Sequence, residues 1–240
     1  MALQGSPILG ILELDEGLMS DSQCHVPRKG SLMDPTTFGG PIITEMVEGA
    51  SAETVIRGDP LLERPCVAAA RRLVERGAGM ISADCGFFIR HQAAVSAAVN
   101  VPVAMSSLLL IPTLLRQLSP AQKLAVITAD SRHCSEDLFG IENSAGRARV
   151  VVGGIEEGEY VRNALARPLV RTSVHRIEQE VAACVARLRA NHPEIGILVF
   201  ECTGFPCVTD SLRCRTGLPI YDITDVCRLT LGAIARPALP

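Results

Sequence analysis

Apolar positions along the chain fall into short continuous runs separated by longer amphipathic stretches. The runs Ile8–Leu14, Met80–Ala83, Val101–Met105, Leu124–Thr128, Val150–Gly153, Ile195–Phe200 and Pro219–Tyr221 have the length of buried strands. Between them, Leu61–Arg76 brings Val67, Ala70, Leu73 and Val74 to one helical face. Val174–Ala190 does the same with Ile177, Val181, Cys184, Val185 and Leu188. Strands covered by helices on both faces read as such unbroken apolar runs. The pattern predicts an α/β fold with parallel sheets.

The same pattern occurs twice. Gly79-Met80-Ile81-Ser82-Ala83-Asp84-Cys85 aligns with Gly196-Ile197-Leu198-Val199-Phe200-Glu201-Cys202: a strand, an acid, then a cysteine. Small residues and an aromatic follow each cysteine, as Gly86-Phe87 and as Thr203-Gly204-Phe205. A strand containing proline starts at Val101-Pro102-Val103 in one half and Leu218-Pro219-Ile220 in the other, with 17 residues from cysteine to proline both times. Upstream, Asp15 and Asp130 end matching strands, 70 and 72 residues before their cysteines. Four anchor points in register predict two pseudo-symmetric, Rossmann-like lobes with parallel sheets and the active site in the cleft between them. Residues 1–105 and 212–240 are expected in lobe one and residues 106–211 in lobe two, which keeps both termini together.

Composition narrows the partners. A net charge of −3, 3% aromatics and no Trp leave no basic, stacking face for nucleic acid. The apolar run near the N-terminus, Ile8 to Leu12, is too short for a membrane span or a signal sequence. Nine scattered cysteines without small-domain spacing then suggest reduced thiols and a cytoplasmic setting.

The chemistry converges on the repeated cysteines. A residue at the carboxyl end of a strand in an open α/β sheet faces the ligand crevice. A helix starting there turns its free N–H groups toward the same place, which favours an anion and lowers a thiol's pKa. Two facing lobes would present Cys85 and Cys202 to opposite faces of one carbon, one thiolate removing a proton and one thiol donating it. Backbone N–H groups of Gly86, Phe87, Thr203 and Gly204 are expected to converge on the anion, with Thr128 or Ser106 beside it.

Glu201-Cys202-Thr203-Gly204-Phe205-Pro206 resembles the Gly-Cys-Thr-x-x-Pro motif of aspartate and glutamate racemases, and Cys85 falls where that family has its first catalytic cysteine. The resemblance implies a cofactor-independent racemase or epimerase acting on an amino acid or related small carboxylate, usually as a homodimer, without pyridoxal phosphate, metal or nucleotide. It implies Cys85 and Cys202 as the acid/base pair and Thr203 and Thr128 as substrate ligands. Asp15 is implied as the acid that assists a thiol or binds an ammonium. The sequence departs from the family at the first motif, where Cys85-Gly86-Phe87-Phe88 replaces Cys-Asn-Thr and points to a less polar substrate. The superfamily also holds hydantoin racemases, maleate isomerases and arylmalonate decarboxylases. A single-cysteine lyase or cis–trans isomerase is therefore the alternative, and a non-catalytic small-anion-binding protein the second.

Plainer readings compete. Cys66, Cys134, Cys184 and Cys227 read as buried hydrophobes, and Cys85 and Cys202 have that reading as their competitor. The spacing of Cys202, Cys207 and Cys214 is not that of a zinc site. Asp84 and Glu201 are expected in structural salt bridges, pointing away from the thiols. His91 and His25 are candidate general bases, because histidine titrates near neutrality, but a surface or capping histidine is the default. The Gly- and Pro-rich loop from Ser20 to Ile42 reads as a lid, with Arg28 a possible carboxylate partner.

Overall fold

The computed structural model describes residues 6–16, 26–167 and 169–234. The first half of the chain contains β1 (Ile8–Glu13), β2 (Ile42–Met46), α1 (Ala52–Arg57), α2 (Glu63–Glu75), β3 (Ala78–Ala83), α3 (Gln92–Ala98) and α4 (Ile111–Gln117). The second contains β4 (Lys123–Thr128), α5 (Ser144–Arg147), β5 (Val150–Gly154), α6 (Glu159–Leu165), α7 (Val174–Asn191), β6 (Ile195–Phe200), α8 (Pro206–Thr216), β7 (Ile220–Tyr221) and α9 (Ile223–Ile234). Sheet one is ordered β2-β1-β3 and sheet two β5-β4-β6-β7, with every pairing parallel.

The duplication persists down to single hydrogen bonds. Leu9 stands opposite Met80, after a register shift between Ile8 and Leu9; Leu124 stands opposite Ile197, after the same shift between Lys123 and Leu124. Ile81 N–H donates to the Pro102 carbonyl at 2.9 Å, and Leu198 N–H to the Pro219 carbonyl at 2.9 Å. At the strand ends, Asp84 N–H donates to Leu12 and Glu201 N–H to Ile127. Matched registers carry each cysteine to the same height above its sheet, because strand rise fixes position along the ladder.

Local choices agree with this frame. The Ser173 hydroxyl accepts from Arg176 N–H and starts α7, a cap worth about 1 kcal/mol. Gly217, at φ 67°, ends α8 in the left-handed conformation that costs a side-chain-bearing residue more. The core is shared between the lobes: Leu12, Ile81, Phe87 and Phe88 from the first pack in one cluster with Leu124, Val126, Ile197 and Val199 from the second. Burying each of the phenylalanines contributes roughly 1.5–3 kcal/mol.

Three expectations change. Val101–Met105 is not a strand; only Val103 bridges to Ile81, since Pro102 has no N–H to extend the ladder. β2, at the sheet edge and half-exposed, was not among the expected strands. Finally, a boundary at residue 212 would cut α8, and β7 extends sheet two, whereas α9 packs Ile223, Val226 and Cys227 against Leu9, Ile11 and Met80 of sheet one. Among the described residues no helix is long and apolar enough to cross a membrane.

Candidate active site

Both cysteines follow their strands by the same path. Cys85, in extended conformation, accepts Phe88 N–H on its carbonyl and opens the 3-10 turn Gly86–His91; the Cys202 carbonyl accepts Phe205 N–H just before α8. Each sulfur receives the N–H of the residue two positions on, Phe87 for Cys85 and Gly204 for Cys202, which favours the thiolate. Burial opposes this more strongly. It pushes Cys85 well above the usual thiol value, with Glu201 and Cys202 adding to the rise, and pushes Cys202 up to about 12, with Glu201 next in weight.

The turns touch. Gly86 lies so near Glu201 that a Cβ there would overlap the Glu201 carbonyl and Oε1, so only glycine fits. From the other side, the Thr203 hydroxyl donates to the Asp84 carbonyl. Residues bordering one cysteine thus grip residues bordering the other.

The acids before the cysteines are not in salt bridges; among the described residues neither has an ion-pair partner. Both oxygens of Asp84 accept Leu14 N–H at 3.1 Å, tying it to the end of β1. Glu201 Oε2 accepts the Thr128 hydroxyl at 2.7 Å at the end of β4, while its buried Oε1 has no partner. Burial raises Asp84 well above the carboxylate range and Glu201 to about 7.

A cavity of about 500 Å³ opens beside the turns. Asp84, Thr203, Gly204, Tyr160, Asp15 and Arg28 are all in its wall. Neither Cys85 nor Cys202 is among its lining residues; the half-buried sulfurs lie next to that wall. Over it the two lobes exchange arginines: Arg28 Nη2 donates to the Thr172 carbonyl at 2.9 Å and Arg171 Nη2 to the Val26 carbonyl at 2.8 Å.

Several expected ligands are turned elsewhere. The Thr128 hydroxyl is fully buried on Glu201, and Ser106 is fully buried with its hydroxyl accepting Leu108 N–H. Phe87 and Phe88 lie in the core shared by the two lobes, not in the cavity wall. Gly86 serves the contact with Glu201, and the N–H groups of Phe87 and Gly204 face sulfur. His91 is buried, not on the surface, and stands at the N-cap position of α3 without a side-chain cap bond; burial lowers its pKa, and the charges acting on it are Glu63, Arg90 and Asp59, not a cysteine. His25 lies outside the described residues. Cys66, Cys134, Cys184 and Cys227 are buried as expected.

Tyr160 escaped the sequence reading. Its hydroxyl lies 3.5 Å from the Cys202 sulfur, its ring is tilted against Phe205, and a side chain on Gly204 would occupy the hydroxyl's place. It is one of only two tyrosines in the chain, and that rarity was the available signal.

These features define the class to which the fold belongs. Unliganded arylmalonate decarboxylase superposes with a TM-score of 0.56 at 17% identity, covering 97% of this chain and 96% of that one. Glutamate racemase from Francisella tularensis gives 0.56 at 14% identity, over 95% of this chain and 81% of that one. The fold is the one these decarboxylase and racemase structures share, as the Cys-Thr-x-x-Pro resemblance implied. In sequence, the chain is 29% identical over 222 residues to a dimethylsulfoniopropionate lyase of Durusdinium sp. clade D, covering 89% of this chain and 70% of that protein. It is 27% identical over 238 residues to dimethylsulfoniopropionate lyase 3 of Emiliania huxleyi, covering 95% of this chain but only 60% of the relative. No protein-family model matches.

Proposed function

We propose that this protein is a lyase that eliminates a leaving group from the carbon β to a carboxylate, with dimethylsulfoniopropionate or a close analogue as substrate. One observation carries the reading: the similarity to dimethylsulfoniopropionate lyases runs through 95% of the chain and so spans both cysteine turns and the cavity wall. In the reaction a base takes a proton from the carbon next to the carboxylate, the C–S bond breaks, and its electron pair leaves with sulfur. The products are dimethyl sulfide, acrylate and a proton. Cys202 is the base in this reading, since its sulfur faces the hydroxyl of Tyr160, a residue of the cavity lining. A cavity lined by both Asp15 and Arg28 suits a molecule that is cationic at one end and anionic at the other.

Racemisation of a small amino acid is the second reading, favoured by the matched N–H contacts to both sulfurs. The purified protein given dimethylsulfoniopropionate should release dimethyl sulfide into the headspace, with equimolar acrylate in solution. Neither product, together with decay of the circular dichroism of an enantiopure amino acid, would replace the lyase by the racemase.

A further inference from the structure

Glu201 stands where the two cysteine turns meet. It is 1% exposed, its Oε1 has no partner, and that oxygen abuts Gly86, the residue after Cys85. Its own chain continues into Cys202. The charged groups around it come from several elements. Arg90 on the Gly86–His91 turn favours its carboxylate and Asp130 after β4 opposes it. Arg90 sends Nη2 to the His133 carbonyl at 2.7 Å and has Nη1 3.8 Å from Asp137, while its buried Nε has no partner. Cys85, Cys202 and Cys134 all feel the Glu201 charge, which makes each thiol harder to ionise.

The donors decide where a negative charge can rest. Each catalytic sulfur has a backbone N–H facing it, from Phe87 or Gly204, and Glu201 Oε2 has the Thr128 hydroxyl, whereas Oε1 has none. A buried place of this kind does not hold a carboxylate and a thiolate together, because each raises the other's pKa. We propose that Glu201 is a positioning residue shared by both cysteines: while it holds its proton the place can take one thiolate, and once it ionises it opposes both. The idea rests on the thiol chemistry of the preceding section, but the following measurement needs no substrate.

Alkylation of individual cysteines by iodoacetamide, followed by peptide mass spectrometry, reports each thiolate against pH, with exposed Cys214 as reference. In the wild type, ionisation of Glu201 at about 7 should brake the reactivity of Cys85 and Cys202 on the alkaline side. Glu201→Gln should remove the brake, so that both react about tenfold faster at pH 8, equivalent to one pKa unit, and at the wild-type rate at pH 6. Cys214 should not change. Equal rates at pH 8, or equal acceleration at both pH values, as local loosening would give, overturns the proposal. If Glu201→Gln fails to fold, Thr128→Val decides. Losing the hydroxyl bond should move the brake to higher pH, and an unmoved profile overturns the proposal. Absence of dimethyl sulfide from the wild type would leave this result intact, so the two failures are separable.

Discussion

The two cysteine turns are built on one plan and finished differently. In lobe one, Cys85 is followed by Gly86 and by two phenylalanines sunk in the core, and the acid before it is short, with both oxygens tied to Leu14 N–H. In lobe two, Cys202 is followed by Thr203, preceded by a longer acid with one oxygen unmatched, and touched by a tyrosine that reaches the cavity. Duplication supplied the geometry, and divergence supplied the chemistry. The hydroxyl groups nearest a cysteine, those of Thr203 and Tyr160, belong to the second turn.

The largest effect should separate the thiols themselves. Cys202→Ser keeps the shape but removes the stronger acid, so kcat/KM for dimethyl sulfide release should fall by at least about a thousandfold; Cys85→Ser should cost on the order of tenfold to a hundredfold. Equal losses would restore the symmetric, two-base view, and the reverse ranking would move the base to lobe one.

A smaller effect concerns stability and the acids. Glu201 is raised from 4.5 to about 7 in the folded protein, so the native state holds the proton more tightly than the unfolded chain. Stability from this group is then full below pH 4.5 and is lost as pH rises through about 7, by roughly 3 kcal/mol. Urea denaturation at pH 5 and pH 8 should show Glu201→Gln gaining on the wild type mainly at the higher pH. Asp84 is shifted in the same direction, so Asp84→Asn should also gain at pH 8. If neither variant gains there, the acids are not buried as protonated groups.

The smallest effect tests the tyrosine. Tyr160→Phe removes the hydroxyl facing the Cys202 sulfur and should raise that thiol's pKa, lowering kcat about tenfold at pH 7 with less loss as pH rises. Cys85 alkylation should be unchanged, and an equal shift at both cysteines would mean that the tyrosine acts through the fold.

Much of this frame was legible beforehand because buried parallel strands announce themselves as apolar runs, and the repeat located both cysteines. What escaped reading has physical causes. Ile42-Ile43-Thr44-Glu45-Met46 is an edge strand with no face fully buried, so neither an apolar run nor a clean alternation marks it. Thr128 ends β4 and Ser106 follows the apolar run Val101–Met105, but the path of a hydroxyl depends on its neighbours. Glu201, standing where the racemase motif has glycine, captures one, and a helix start captures the other. Tyr160 comes from α6, whose approach to Cys202 is a tertiary fact with no periodic trace.

The return of the chain after α8 has a further consequence. β7 completes sheet two, and within two residues α9 begins to cover sheet one, so a single short segment closes both halves. Neither half has a complete surface of its own until that segment is in place, and the cluster holding Leu12 beside Val126 belongs to both. The molecule that arose as two repeats is therefore no longer divisible into two folding units: heat or denaturant should melt it in one cooperative transition.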